Sequence, residues 1–130
     1  MSEEKSVLDE EAAKVAKLAQ LSEDQLYEKL GETSVRTGFS AADILGLVKH
    51  GRAYYNRVTK ALYQEICVKR RACEWEKSVL EDAKTLAAAL LPLVFSTMGG
   101  APISAIVLVT SVVLKRGIRK FCHCPKKGSE

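Results

Sequence analysis

The longest uncharged stretch of the chain spans residues 85–114, although 28% of all residues are charged. Residues 99–102, with the sequence GGAP, interrupt it near its middle. Glycine destabilises the interior of a helix and proline favours a helix start, so these residues predict a turn between two helical arms. We expect the arms at about residues 79–98 and 102–121, where they form an apolar helical hairpin.

Three arrangements of this hairpin fit the sequence. The hairpin can dip into a membrane, its second arm can span a membrane alone, or both arms can form the centre of a soluble helical bundle. A helix that is apolar on all sides suits either a membrane or a protein core, and periodicity does not separate the two. Residues 103–114 carry only three polar side chains, Ser104, Thr110 and Ser111, which favours membrane contact. The hairpin residues expected to face lipid or core are Leu93, Phe95, Ile103, Ile106, Val107, Val109 and Val113.

Two short amphipathic helices are expected before the hairpin, near the start of the chain. The first begins at about residue 9 and places alanine and valine on one face. The second is expected at about residues 23–30, because Ser22 and Gln25 have the spacing of a capping box. Gly31 is typical of the residue that ends a helix.

A longer helix is expected after a polar loop. Residues 32–39 form the loop, which is the best candidate for a hinge or contact loop, and residues 40–43 have the composition of a helix start. Apolar positions then recur every three or four residues, which predicts a helix over about residues 44–69. Gly46 and Gly51 in this helix would allow a second helix to approach closely.

The predicted elements make the chain an all-α protein, a small bundle of four to five helices that ends in the apolar hairpin. A break is expected near residues 69–71, because the apolar stripe changes phase there. We divide the chain into an amphipathic helical module (1–78), the hairpin (79–121) and a basic, cysteine-containing tail (122–130). The length of 130 residues fits one domain.

Charge is distributed unevenly along the chain, which has a formal net charge of +4. The first 40 residues are acidic overall, whereas basic residues cluster directly after the hairpin. The clustered basic residues are Lys115, Arg116, Arg119, Lys120, Lys126 and Lys127. Cations beside an apolar segment attract anionic lipid and mark the cytoplasmic side of a membrane. The alternative is a solvated helix end, where the same charges complement the helix dipole.

Four cysteines add candidate chemistry to the chain. The acidic N-terminal sequence lacks the pattern of a signal peptide, so we expect reduced thiols in a cytosol. Cys122 and Cys124 lie beside the basic cluster, where reversible lipidation is typical, and a metal site is the weaker interpretation because the cysteine spacings do not suit zinc. Cys67 and Cys73 are expected to be small buried hydrophobic residues.

The sequence argues against an enzyme. The only histidines are His50 and His123, and no glycine-rich phosphate-binding loop is present. A nucleophilic enzyme needs a base and an orienting acid beside its nucleophile, and no such set stands out. We therefore expect no cofactor, no metal and no small-molecule substrate. Basic residues between positions 49 and 71 alternate with tyrosines, which is a pattern of nucleic-acid binding, but acidic residues interrupt it.

These observations lead to three functional hypotheses. The first is a non-enzymatic, membrane-associated effector or regulatory subunit, cytoplasmic and at the inner face of the cell membrane, whose N-terminal module binds a protein partner or a second copy. The second is a soluble helical-bundle adaptor or inhibitor whose hairpin is core or an oligomer interface. The third is a nucleic-acid-binding protein that uses basic residues 49–71. An anionic membrane surface is a candidate partner, and nucleic acid is disfavoured.

Overall fold

The computed structural model describes residues 2–34 and 44–124 of the chain. These residues contain helices and no strand, which confirms the all-α prediction. The α-helices are α1 (Ser2–Leu18), α2 (Glu23–Ser34), α3 (Ile44–Tyr63), α4 (Lys77–Glu81), α5 (Ala83–Thr97), α6 (Ile103–Arg116) and α7 (Ile118–Phe121). A π-helical segment, Gln64–Lys69, continues α3, and a 3₁₀ turn, Ala72–Glu74, follows it.

The start of α2 is a capping box, as the sequence predicts. The Gln25 backbone N–H donates to Ser22 Oγ over 3.1 Å, and the Ser22 backbone N–H donates to Gln25 Oε1 over 2.9 Å. These bonds satisfy donors that have no partner inside the helix. The predicted end at Gly31 is wrong, because α2 continues to Ser34. The predicted helix start at 40–43 and most of the predicted loop at 32–39 lie outside the described residues.

Gly31 and Gly51 instead form the crossing of α2 and α3. A Cβ atom on Gly31 would overlap the backbone carbonyl of Leu47, and one on Gly51 would overlap the backbone carbonyl of Tyr27. Each helix therefore contributes one glycine at the point where its partner's backbone approaches. The close approach predicted at Gly51 is confirmed. At Gly46 it is wrong, since no atom outside its own helix turn lies within 4 Å of the position of a Cβ.

Substitution of these glycines by alanine is expected to have opposite effects. Gly51→Ala places a methyl group against the backbone of α2 and is expected to destabilise the protein by about 1–3 kcal/mol. Gly46→Ala, the matched control on the same helix, gains helix propensity without a clash and is expected to be neutral or stabilising by up to about 1 kcal/mol. Urea unfolding of both variants measures the difference. Equal midpoints for the two variants would show that the helices do not cross at Gly51.

The chain changes direction after the π-helical segment, which confirms the predicted break near residues 69–71. Arg71 adopts a left-handed backbone conformation with φ 48°. The Trp75 indole N–H donates to the Arg70 carbonyl over 2.9 Å and closes the turn. A left-handed residue cannot continue an α-helix, so the apolar stripe restarts in a new phase.

The apolar hairpin is formed mainly by α5 and α6. The first predicted arm is divided at Asp82, which caps α5 by accepting a hydrogen bond from the Thr85 backbone N–H over 2.9 Å. The second arm is divided at Gly117, whose φ of 84° separates α6 from α7. The turn between α5 and α6 lies at Gly99–Pro102 as expected, with Gly100 at φ 92°.

Helix α6 is the centre of the bundle. Its nine consecutive residues 105–113 are all buried, and it packs against α1, α2 and α5. The hydroxyls of Thr110 and Ser111 are satisfied within the helix, where they donate to the carbonyls of Ile106 and Val107 over 2.7 and 2.8 Å. A helix that is covered by three others needs no polar face, so burial in the bundle explains why α6 lacks one. The structure therefore places this apolar stretch in the protein core.

Candidate functional site: a basic cleft beside two disulfide bonds

The predicted hairpin residues lie in two environments. Five of them belong to the core or pack against it, namely Ile106, Val107, Val109, Val113 and, at the margin, Leu93. The other two, Phe95 and Ile103, are 57% and 51% exposed near the turn of the hairpin. Among residues 2–34 and 44–124, no helix combines the length and the apolar character that a membrane span requires.

The predicted basic residues lie at the opposite end of α6 from this turn. Lys115 and Arg116 end α6, Arg119 and Lys120 lie on α7, and Lys126 and Lys127 are outside the described residues. Arg116 is half-buried while the other three described cations are exposed. A helix of 14 residues is about 21 Å long, which separates these charges from the exposed apolar residues of the turn.

Arg116 is held in place by residues far away in sequence. Its Nη2 donates to Tyr27 Oη over 2.8 Å and to Glu23 Oε1 over 3.2 Å, and its guanidinium lies 5.1 Å from the ring centroid of Tyr55. Partial burial opposes the charge, but the interactions with Tyr55, Glu23 and Tyr27 outweigh it and raise the pKa of Arg116. The Nε and Nη1 donors have no bonding partner within the described part of the chain.

The Arg116 guanidinium lies over the ring of Tyr55, which is fully buried. Burial is the main cause that raises the pKa of Tyr55 to about 12, so the phenol is neutral at physiological pH. No acceptor or donor among the described residues lies within hydrogen-bonding distance and angle of its hydroxyl. Thr59, one helical turn later, donates its own hydroxyl to the Tyr55 carbonyl over 2.6 Å.

A surface cleft of about 640 Å³ opens between α3 and the end of α6. We call it the basic cleft, and its lining residues are Asn56, Thr59, Lys60, Tyr63, Gln64, Arg116, Lys120, Phe121 and His123. Three of these side chains are cationic, one is a histidine, and none of the described lining residues is acidic. The cleft therefore combines positive charge, neutral hydrogen-bonding groups and the Tyr63–Phe121 ring pair, whose centroids are 6.4 Å apart.

One disulfide bond connects the two walls of the basic cleft, and a second joins the 3₁₀ turn that follows the first wall to the end of the second wall. Cys67 pairs with Cys122 and Cys73 pairs with Cys124, with Cα–Cα distances of 5.5 and 5.6 Å. One wall belongs to α3 and the π-helical segment, and the other to α6, α7 and the following turn. His123 lies between the two bonded cysteines, where its backbone has φ 55°. Left-handed conformations of non-glycine residues and π-helical turns are both frequent at functional sites.

The pairing corrects the sequence-based interpretation of the cysteines. All four described cysteines are in disulfide bonds, so the expectation of reduced thiols is wrong for this structure. A disulfide-bonded Cys122 or Cys124 has no thiol for lipidation and no thiolate for a metal. Within residues 2–34 and 44–124, no group of three or more His, Cys, Asp or Glu side chains is arranged to hold a metal ion. Disulfide bonds are rare in a reducing cytosol, and the cytoplasmic localisation stays a prediction.

The predicted nucleic-acid surface between residues 49 and 71 is divided by ion pairs. Arg52 pairs with Asp24 over 3.3 Å on one side of the bundle. Further along, Lys69 and Arg70 both pair with Glu65, over 3.8 and 3.3 Å. Arg71 Nε lies 3.9 Å from Glu74 Oε2. Of the basic residues in this segment, Lys60 is the one that lines the basic cleft.

Sequence reasoning identified two of the cleft cations, Arg116 and Lys120, as part of the basic cluster. It did not place Lys60 beside them, because the two walls are separated by more than 50 residues in the chain. The even number of cysteines was the available signal, although four cysteines allow three pairings. Comparisons with protein-family models, with curated proteins and with solved structures found no match to this chain.

Proposed function

We propose that this protein is a non-enzymatic helical-bundle adaptor or inhibitor that binds an acidic segment of a partner protein in the basic cleft. The observation that carries the proposal is the composition of the cleft, which collects Lys60, Arg116, Lys120 and His123 and no described carboxylate. Complementary charge steers association and disfavours partners of the wrong sign. The apolar hairpin serves as the core of the bundle, with α6 at its centre.

The shape of the basic cleft favours a protein segment over a membrane surface. A bilayer is flat on the scale of a small protein, whereas Lys60, Arg116 and Lys120 line a concavity. Insertion of the hairpin into a bilayer would require nine consecutive buried residues, 105–113, to leave the core. A protein segment enters the cleft without any such rearrangement.

The ion pairs of residues 52 and 69–71 disfavour nucleic acid as the partner. A protein that binds a phosphate backbone gains affinity from each cation that is free to displace a counterion. Arg52, Lys69, Arg70 and Arg71 already have carboxylate partners. Lys60 and Lys120 have no carboxylate partner among the described residues and line one concave site together with Arg116, which shares Glu23 and keeps other donors, and this suits a compact anionic segment.

Binding of fluorescein-labelled poly-L-glutamate tests the proposal. The double variant Lys60→Gln/Lys120→Gln removes two cleft cations and is expected to weaken binding tenfold or more, on the basis of about 1 kcal/mol for each contact. The double variant Lys49→Gln/Lys84→Gln removes the same charge from exposed sites outside the cleft and is expected to change affinity less than twofold. Fluorescence anisotropy at fixed ionic strength measures both.

Equal losses in the two double variants would show that net charge, and not the cleft, attracts the polyanion. Tighter binding to vesicles of phosphatidylserine, or to single-stranded RNA, at the same salt concentration would favour the other two hypotheses. Fractionation of the expressed protein is an independent test. Recovery only after detergent, and not after a high-salt wash, would contradict the role of the hairpin as core.

A further inference from the structure

The basic cleft contains more than positive charge, and its details specify the chemistry of the bound group. We infer that the cleft binds a phosphate monoester carried beside a planar ring. This inference rests on the proposed function and narrows it from any acidic segment to a phosphorylated one. Three features of the cleft support it: the convergence of the cations, the restraint of Arg116 and the ring pair in the lining.

The cleft cations approach from three separate elements. Lys60 lies on α3, Arg116 on the last turn of α6 and Lys120 on α7. A phosphate monoester carries a charge of about −1.5 to −2 at pH 7 and three acceptor oxygens, so it can be contacted from three directions at once. A carboxylate has one charge and two oxygens, so it leaves part of the binding capacity of the three cations unused. The neutral donors of Asn56 and Gln64 lie in the same lining.

Arg116 is oriented before any ligand arrives. Its Nη2 is engaged by Glu23 and Tyr27, while its Nε and Nη1 have no partner among the described residues. Both paired edges of the planar guanidinium include Nη2, which Glu23 and Tyr27 already engage, so a phosphate oxygen accepts a single hydrogen bond from Nε or from Nη1. Because Tyr55 and Tyr27 already restrict the side chain, binding loses less conformational freedom than it would with a mobile surface arginine.

The Tyr63–Phe121 ring pair is the part of the cleft that would contact the planar ring of the ligand. Tyr63 and Phe121 belong to opposite walls of the cleft, and their planes are inclined by 50°. Tyr63 is half-buried and Phe121 is buried, so Tyr63 offers part of its ring to the cleft. Aromatic groups attract other rings in offset or edge-to-face arrangements, which favours a ligand whose phosphate is attached near a planar ring.

Isothermal titration calorimetry with small probes tests the inference on the intact, disulfide-bonded protein. Phenyl phosphate is expected to bind at least tenfold more tightly than methyl phosphate, which lacks the ring, and than phenylacetate, which lacks the phosphate. Arg116→Lys keeps the charge but removes the Nε and Nη1 donors and the restrained planar group, and is expected to weaken phenyl phosphate binding at least tenfold. Arg119→Lys, the matched control outside the cleft, is expected to change it less than twofold. Thermal melting of both variants confirms that they are folded.

The outcomes separate this inference from the proposed function. If poly-L-glutamate binds in the cleft but phenyl phosphate binds no more tightly than phenylacetate, the phosphate inference is wrong and the proposed function stands. If neither probe binds, both are wrong. If both bind, N-acetyl phosphotyrosine amide and adenosine 5′-monophosphate identify the source of the phosphate. Tighter binding of phosphotyrosine supports a phosphorylated partner protein, and tighter binding of the nucleotide overturns the protein partner while it retains the aryl-phosphate chemistry.

Discussion

Replacement of Ile106 by lysine is expected to unfold the whole bundle. Ile106 is 1% exposed and lies on the central helix α6. Loss of a buried aliphatic side chain costs about 2–5 kcal/mol, and an unpaired buried ammonium adds several more. A domain of this size is stable by about 5–15 kcal/mol, so the change removes most or all of its stability. Far-UV circular dichroism during a thermal scan is expected to show no cooperative transition.

Ile103→Lys is the matched control for this prediction. Ile103 is on the same helix, one turn earlier, but is 51% exposed, so the same substitution there is expected to change stability by less than about 1 kcal/mol. Hydrogen–deuterium exchange of Ile106→Lys distinguishes the two roles of the hairpin. Loss of protection throughout α1, α2 and α3 is expected for a core helix. Retained protection of these three helices, together with loss of vesicle binding, would instead support the membrane hypothesis.

Removal of both disulfide bonds is expected to have a comparable effect. The Cys67–Cys122 bond joins residues 55 apart in the chain, and a loop of that length corresponds to about 4 kcal/mol of unfolded-state entropy. Once this bond is present, Cys73–Cys124 closes a loop of only about eight residues and adds about 2–3 kcal/mol. Removal of either pair is therefore expected to cost about 2–3 kcal/mol, and removal of both about 6–7 kcal/mol.

Two double variants, each lacking one bond, test these expected losses of stability. They are Cys67→Ala/Cys122→Ala and Cys73→Ala/Cys124→Ala. Each is expected to lower Tm by about 10 °C, and the quadruple variant is expected to lose the cooperative transition. Because Cys67–Cys122 joins the walls of the basic cleft, reduction is also expected to weaken poly-L-glutamate binding. Iodoacetamide labelling of the denatured, unreduced protein provides the direct check. Labelling of all four cysteines, with no change in Tm on reduction, would contradict the pairing.

Local features of the fold were predictable because they depend on neighbouring residues. Ser22 and Gln25 are three residues apart, and their reciprocal hydrogen bonds require only a helix start. The turn at residues 99–102 follows from the backbone preferences of glycine and proline. The phase change of the apolar stripe near residues 69–71 marked the turn at Arg71. In each case the signal and the structure lie within one or two helical turns.

Gly31 shows where this local reasoning fails. Glycine is frequent at helix ends, so the sequence predicted that α2 stops there. The helix continues because the backbone of α3 approaches Gly31, and a residue without a side chain is required inside the helix at that crossing. A glycine can mark the end of a helix or a close crossing of two helices. Only the position of Leu47 on the neighbouring helix shows which of these applies to Gly31.

The candidate site was predictable only in part for the same reason. The cluster of basic residues after the hairpin is a property of the sequence, but its partners are not. Glu23 and Tyr27 lie about 90 residues before Arg116 in the chain, and Lys60 reaches the cleft from α3. Most of the other basic residues in the segment 49–71 are neutralised by carboxylates, which the sequence alone does not pair with them.

The sequence by itself determined that this protein is helical, where its longest apolar segment lies and where its positive charge is concentrated. Those properties follow from periodicity, from glycine and proline, and from composition. Only the tertiary structure decided that α6 is a core helix, because an apolar helix is equally compatible with lipid until the helices that cover it are known. It also decided the cysteine pairing and the basic cleft, since both bring together residues that are distant along the chain.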